Sequence, residues 1–270
     1  MKLLNIICKY LKYCFTAQRI HSIQSSFLYE LATQVIRKKP DNKLIEEIQQ
    51  LRNTLCQSEK VINIIDYGAG SNINPSTKRK IKDIAKNSSK NSKFGILLFN
   101  MVSFYKPNNI VELGTSFGIS TLYLAKSLSS AKVYSFEGCP ETIKIAKHNI
   151  KGQKVKNVSL VLGNFDITLK NKLNKIGLVD LVFFDGNHTE KATIKYFEEC
   201  LKHSHNNTIF IFDDIHWSKG MENAWNYVIQ HKKTTLTVNN LQTDCFNTVC
   251  RKHQEKLRLT NLIHSTTTDE

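Results

Sequence analysis

The chain has 270 residues, of which 41% are hydrophobic and 23% charged, and a formal net charge of +15 at pH 7. That length suits one large α/β domain with an extension, and no run of about 18 apolar residues is present that would cross a bilayer. The seven cysteines (Cys8, Cys14, Cys56, Cys139, Cys200, Cys245 and Cys250) form no CxxC pair. They suit free thiols in a reducing cytoplasm and argue against a zinc site.

The opening stretch MKLLNIICKYLKYCF reads as an amphipathic helix: Lys9 and Lys12 interrupt its apolar run, and no small-residue cleavage site follows. Helical periodicity continues over residues 1–60, with Phe27, Leu28, Leu31, Val35 and Ile36 on one stripe. Pro40 breaks it, and Leu44, Ile45, Ile48, Leu51 and Leu55 resume it. VINIID (61–66) reads as a short strand. Lys78 to Lys93 carries seven basic residues against Asp83 and reads as a solvated helix followed by a polar loop. A helix from Ser92 to about Tyr105 ends at Pro107.

A regular alternation follows. Apolar β-type runs at 109–113, 132–137, 158–162, 179–185 and 208–213 are separated by helical stretches such as 119–129, 140–151 and 189–202. After a further helix through Trp225 and Val228, 235–238 and 246–251 look like an antiparallel pair. Buried strands alternating with helices predict a Rossmann-like, doubly wound α/β sheet of about seven strands, mostly parallel with a C-terminal antiparallel strand. The expected parts are a helical extension or lid (1–60), the α/β domain (61–258) and a disordered tail (259–270).

Two glycine turns compete for a cofactor, IIDYGAGSN (64–72) and IVELGTSFGIS (110–120). A cofactor turn needs a strand before it and a helix after it, because the ligand sits at the strand's carboxyl end against the helix N-terminus. The second stretch has both. In the first, Asn72, Asn74 and Pro75 follow at once, so it reads as a structural turn. An acid about 20 residues on should receive ribose hydroxyls, and Glu137 lies 23 residues after Gly114 (137 − 114). Both NAD and S-adenosylmethionine (SAM) meet these conditions. Thr115 and Ser116, however, stand where a pyrophosphate would want glycine, and a carboxylate such as Glu112 would favour the amino or sulfonium charge of SAM.

VELGTSFGIS, YSFEG, LGNFD, FFDGNH and FIFDDIHWSKGMENAW together resemble a class I SAM-dependent methyltransferase, in the O-methyltransferase-like branch found in Bacteroidetes-type bacteria. The resemblance covers roughly residues 20–258. It implies SAM as cofactor, with Gly114 and Gly118 lining the methionine moiety, Glu137 holding the ribose, and Asn164 to Asp166, Phe165 among them, near the adenine. LGNFD alone is equally an ordinary turn. In the catechol-type members of that family, an acid after the fourth strand and an Asp-Asn pair after the fifth hold a divalent metal. Asp185, Asp213 and Asp214 fall at matching positions, with Asp-Asp where the family has Asp-Asn. Oxygen ligands of this kind suit Mg²⁺, Ca²⁺ or Mn²⁺; the alternative is that the pair caps the following helix.

The remaining strand ends finish in polar clusters: Asp185, Asn187 and His188, then Asp213, Asp214 and His216. Catalysis is expected there. Methyl transfer mainly requires alignment of acceptor, methyl and sulfur, with His188 or His216 as a base for the acceptor proton. Trp217, Met221 and Trp225 repeat at helical spacing and read as core, and His21 as a capping or surface histidine.

The expected partner is a small-molecule acceptor, with a homodimer allowed. The charge raises the question of nucleic acid, because lysines and arginines neutralise phosphates, yet an AT-biased genome also yields lysine-rich solvated surfaces. The Asn/Asp-Pro-Pro-aromatic turn of amino-methylating enzymes is replaced by DGNH, and Cys139-Pro140 reverses the order of a cytosine-C5 nucleophile. RNA methylation is therefore the alternative activity, and a SAM-binding module without catalysis the other.

Overall fold

The computed structural model describes residues 17–18, 25–39, 42–68, 77–88, 92–240, 246–250 and 257–262. Outside these lie the expected helix at 1–15, His21, Pro40, the turn residues 69–76, most of the loop before Ser92, and the tail from 263.

Strand β1 (Ala17–Gln18) precedes α1 (Ser26–Glu30), whose first turn is capped by the Ser25 hydroxyl and which continues as a π-helical stretch over Leu31–Ile36. Then come α2 (Asn42–Gln57), β2 (Val61–Asn63), β3 (Lys78–Lys80), α3 (Ile81–Ser88) and α4 (Ser92–Tyr105). The regular unit follows as β4 (Asn109–Leu113), α5 (Ile119–Ser127), β5 (Lys132–Glu137), α6 (Pro140–Gly152), β6 (Val158–Leu162), α7 (Phe165–Ile176), β7 (Val179–Phe184), α8 (Glu190–Lys202), β8 (Ser204–Phe212) and α9 (Lys219–Gln230). Strands β9 (Leu236–Asn240), β10 (Phe246–Cys250) and β11 (Leu257–Leu262) end the described chain.

The main sheet runs β1-β11-β9-β10-β8-β7-β4-β5-β6, and β2 pairs with β3 in a separate ribbon. Strands β4 to β8 are parallel, and β10 runs antiparallel to both β8 and β9. From β4 the chain winds outward through β5 to β6, then returns to the other side of β4 through β7 and β8. The order therefore reverses between β4 and β7, where open α/β sheets open a crevice at the strands' carboxyl ends.

Alternation along the strands feeds two cores. Ile110, Leu181, Phe183, Ile209 and Ile211 face one, and Val111, Val182, Phe184, Phe210 and Phe212 face the other. The apolar runs look continuous because both sheet faces are covered by helices. The first core is completed by Phe27, Leu28, Leu31, Val35, Ile45 and Ile48 from the N-terminal helices, each contributing about 1.5–3 kcal/mol by burial. The described helices of this extension, α1 and α2, thus pack into a helical layer, and none of their residues lines the cleft described below.

The expected mostly parallel sheet of about seven strands is present as β9-β10-β8-β7-β4-β5-β6, and among the described residues β11 and β1 extend it beyond β9. Three finer expectations are corrected. Residues 259–262 lie in β11 rather than in a tail. The strand expected at 61–66 stops at Asn63, and Lys78–Lys80, expected to open a helix, is its partner strand.

Asn100 joins the N-terminal helices to the domain. It is fully buried on α4, and its Nδ2 donates to the carbonyls of Val35 and Lys38, both at 2.8 Å. Asn100→Ala strands the buried Val35 carbonyl, so it is expected to cost about 1–3 kcal/mol. Chemical denaturation of the two proteins checks this; an unchanged midpoint would contradict the role.

Candidate active site

The carboxyl ends of β4, β5, β7 and β8 are held in one row by a ladder that continues past the strands. Gly114 and Thr115 each donate a backbone N–H to the Phe136 carbonyl at 3.0 Å. Asp185 donates to Leu113 at 2.8 Å and Asp213 to Phe184 at 3.0 Å. Above this row opens a cleft of about 350 Å³.

Gly114 has a φ of +107°, and a Cβ built on it would stand 2.2 Å from the Asp185 carbonyl oxygen. A side chain there would force the backbone to shift, and glycine lets β4 and β7 close together beneath the cleft. The turn continues through Ser116 and Gly118 into α5, with the Gly118 N–H bonded to the Thr115 carbonyl.

Non-glycine residues at positive φ mark three of the four strand ends: Ser116 (+48°), Asn187 (+52°) and Asp214 (+52°). All three line the cleft. A left-handed conformation costs an L-residue on the order of 1–2 kcal/mol, and such strain gathers where side chains are aimed at a ligand. Asn and Asp tolerate it best.

Glu137, at the end of β5, also lines the cleft. One carboxylate oxygen accepts from the Ser116 N–H at 2.8 Å and the other from the Cys139 N–H at 2.9 Å. Burial pushes its carboxyl above the usual range, against the opposing pull of these backbone donors. The acid is thereby fixed to the β4 turn, and each oxygen keeps capacity for a hydroxyl donor. Asn164 and Phe165 line the next stretch of wall. Asn164 caps α7 by accepting from the Asp166 N–H at 2.9 Å, and Phe165 packs edge-on against Phe136 and Tyr196. Helix α7 is absent from the sequence reading above, although this Asn cap was the signal for it.

On the opposite side, Asp185, His188 and Asp214 converge. His188 Nε2 lies 3.9 Å from Asp185 Oδ1 and 3.8 Å from Asp214 Oδ2, and one donor atom from each residue falls within 4.8 Å of the others. Trp217 stands beside them, its ring 6.2 Å from the His188 ring. Met221 and Trp225 are core, as expected, whereas Trp217 is exposed and lines the cleft.

The predicted site residues therefore divide. Gly114, Ser116, Glu137, Asn164, Phe165, Asp185, His188 and Asp214 line one cleft, with Gly118 at the N-cap of α5 behind it. Glu112, Thr115 and Asp213 are fully enclosed. Asp213 therefore does not join Asp185 and Asp214, and His188 takes its place in that cluster. His216 faces Glu222 at 3.6 Å instead of the cleft. Sequence reasoning missed Ile64 to Gly68, Arg79, Ile84 and Asn87, which form the remaining wall. The turn read as merely structural contributes directly to the site.

Glu112 forms the floor beneath the turn. Its carboxylate accepts from Thr121 Oγ1 at 2.5 Å and Ser135 Oγ at 2.6 Å, tying α5 and β5 to β4. Burial raises its pKa to about 7 against the lowering effect of these hydroxyls.

Residues 111–215 match a family model described as a methyltransferase domain. That segment contains every predicted site residue except His216. The fold is shared with an S-adenosylhomocysteine (SAH)-bound methyltransferase of Podospora anserina at 15% identity, covering 85% of this chain and 97% of that one, with a TM-score of 0.58. It is shared too with the Bacillus cereus O-methyltransferase in complex with SAH (18% identity, 86% and 99% coverage, TM-score 0.53). A third is the Streptomyces achromogenes O-methyltransferase TomG, involved in tomaymycin synthesis and in complex with SAM (15%, 83% and 95%, TM-score 0.53). No curated protein matches the chain.

Glu112 gives a pH prediction. With its folded pKa near 7 against an ordinary value of 4.5, the folded state binds more protons than the unfolded state between those limits, so this group makes stability fall as pH rises from about 4.5 to about 7. Glu112→Gln cannot ionise. Relative to the wild type, its melting temperature should rise between pH 5 and pH 8; parallel curves would contradict the assignment.

Proposed function

We propose that the protein is a SAM-dependent methyltransferase that methylates an oxygen of a small-molecule acceptor. The observation that carries this reading is the turn Gly114–Gly118, which lies at the topological switch point, is bonded to the Glu137 carboxylate, and falls within the methyltransferase-domain match. Ser116 and Gly114 would border the methionine end, Glu137 would accept the ribose hydroxyls, and Asn164 and Phe165 would flank the base. The O-methyltransferases among proteins of similar fold favour oxygen as the acceptor atom.

The work left to the chain is modest. SAM already carries an activated methyl group, so the cleft must align the acceptor oxygen with methyl and sulfur, exclude water and take up one proton. His188 is the base in this reading. It lines the cleft between two carboxylates, whose charges would stabilise the imidazolium formed when the acceptor proton transfers to Nε2. His216, turned toward Glu222, is not in position for that role.

Asp185, His188 and Asp214 fit a divalent cation by donor chemistry, two carboxylate oxygens and an imidazole nitrogen. The imidazole favours Mn²⁺ over the all-oxygen preference of Mg²⁺ and Ca²⁺. A cation held there would take the His188 nitrogen as a ligand, so in that case the cation, in place of His188 as base, would activate the acceptor by orienting its oxygen and lowering its pKa, with the proton leaving to solvent. A small-molecule acceptor is favoured over nucleic acid by the fold shared with TomG, an O-methyltransferase involved in tomaymycin synthesis.

Titration calorimetry tests the cofactor. SAM and SAH are expected to bind in the micromolar range and NAD not at all, with Glu137→Ala losing about 2 kcal/mol through its charge-assisted hydrogen bonds. Failure of both sulfur nucleosides to bind the wild type would end this reading. Turnover is expected to fall after exhaustive chelation and return with Mn²⁺; an undiminished rate would remove the cation from the reaction.

A further inference from the structure

The segment Ile64–Gly68 belongs to no helix or strand, yet it crosses the cleft between the two strand ends that flank β4. On one side Tyr67 lies over Gly138, the residue after Glu137, so closely that a Cβ built on Gly138 would stand 2.6 Å from Tyr67 Cδ2. On the other, Gly68 presses on the chain after β7, where its own Cβ would stand 2.9 Å from Asn187 Cα. The β4 turn, Gly114 to Ser116, lies between these contacts.

The crossing is tethered where it begins. Asn63 donates both its backbone N–H and its Nδ2 to the Glu141 carboxylate, at 2.9 and 3.1 Å, fixing β2 to the first turn of α6. Ile64 donates to the Thr77 carbonyl at 2.7 Å. Asp66 accepts from the Gly68 N–H at 2.9 Å and faces Arg79 at 3.7 Å. A segment held this way has little freedom to leave the cleft, yet its apolar side chains remain open: Ile65 is 49% and Tyr67 50% exposed, and both line the cavity. Half-exposed apolar side chains in the wall of a concave site are surface that a ligand can bury.

We infer that Ile64–Gly68 is a strap over the nucleoside end of the cleft and that the Tyr67 ring is a cofactor-binding group. This rests on the SAM reading above and adds to it a contact from outside the matched methyltransferase segment. A purine or ribose placed beside Glu137 and Gly138 would lie against the ring that already covers Gly138. The ring acts by contact area rather than by its hydroxyl. Gly138 and Gly68 are glycines because the strap sits directly on the backbone at both places.

Calorimetric titration of SAH against the full chain tests the strap, using Tyr67→Ala, Tyr67→Phe and, as a control for a surface tyrosine outside the cleft, Tyr227→Ala. Loss of an aromatic contact to a nucleoside base should weaken SAH by about tenfold or more in Tyr67→Ala. Tyr67→Phe and Tyr227→Ala should bind like the wild type. Because Tyr67 is half exposed, the melting temperatures of the unliganded variants should stay together, separating a binding role from structural support. If the wild type binds SAH and Tyr67→Ala binds it equally well, the strap contact is wrong while the cofactor reading stands. Equal loss in Tyr67→Phe would overturn the assignment to the ring, and absence of wild-type binding would overturn both.

Discussion

The site depends on how closely β4 and β7 approach at the point where strand order reverses. With hydrogen in place of a side chain, Gly114 meets the Asp185 carbonyl at a distance no Cβ could occupy. The ladder then carries the registry onward from Phe136 to Gly114 and Thr115, from Leu113 to Asp185 and from Phe184 to Asp213. Four strand ends are thereby locked into one rim before any side chain is considered. The rim can hold the strained Ser116, Asn187 and Asp214 because two cores, one on each face of the sheet, stabilise the strands that carry them.

A second division of labour follows from burial. Glu112 and Glu137 are both acids at or near strand ends, but one is enclosed among hydroxyls and the other held by backbone N–H groups at the cleft wall. The first organises the floor, joining β4, α5 and β5, and titrates near neutrality. The second lines the cleft, where the proposed ribose contact would fall. Asp213 and Asp214 divide in the same way: Asp213 is enclosed just past β8, and Asp214, where the backbone turns to a φ of +52°, reaches the cleft.

Much of this was legible in the sequence because parallel strands buried on both faces read as apolar runs, and the five at the centre of the sheet were found that way. The preference for Gly114 over the earlier glycine turn rested on the strand before it, the helix after it and the acid 23 residues on (137 − 114), and the cleft is lined by Gly114 and by part of the earlier turn alike. What could not be read was direction. The sequence reading places Glu112 and Thr115 beside the cofactor and Asp213 among the catalytic and metal-binding acids, whereas all three are fully enclosed in the fold. His188 and Asp214 meet Asp185 because Asn187 and Asp214 adopt positive φ, a conformation that local composition permits without announcing it. The role of Ile64–Gly68 was hidden for another reason: its contacts at Gly138 and Asn187 lie about 70 and 120 residues away in the chain, and long-range contacts leave no local pattern. Strand β1 was missed on the same ground, since its partner β11 lies at the far end of the chain, whereas β11 pairs as well with β9, 21 residues earlier (257 − 236).

In the proposed reading the Gly114 turn is the floor on which the sulfur nucleoside rests, with Ile64–Gly68 strapped over it, and the close approach of β4 and β7 makes that floor possible. The most direct measurement is the affinity of Gly114→Ala for SAH, with circular dichroism and melting temperature recorded on the same preparation. The added methyl cannot fit against the Asp185 carbonyl, so the turn must shift. The account predicts a folded protein that has lost at least tenfold in SAH affinity. A folded Gly114→Ala that binds SAH as tightly as the wild type would contradict it.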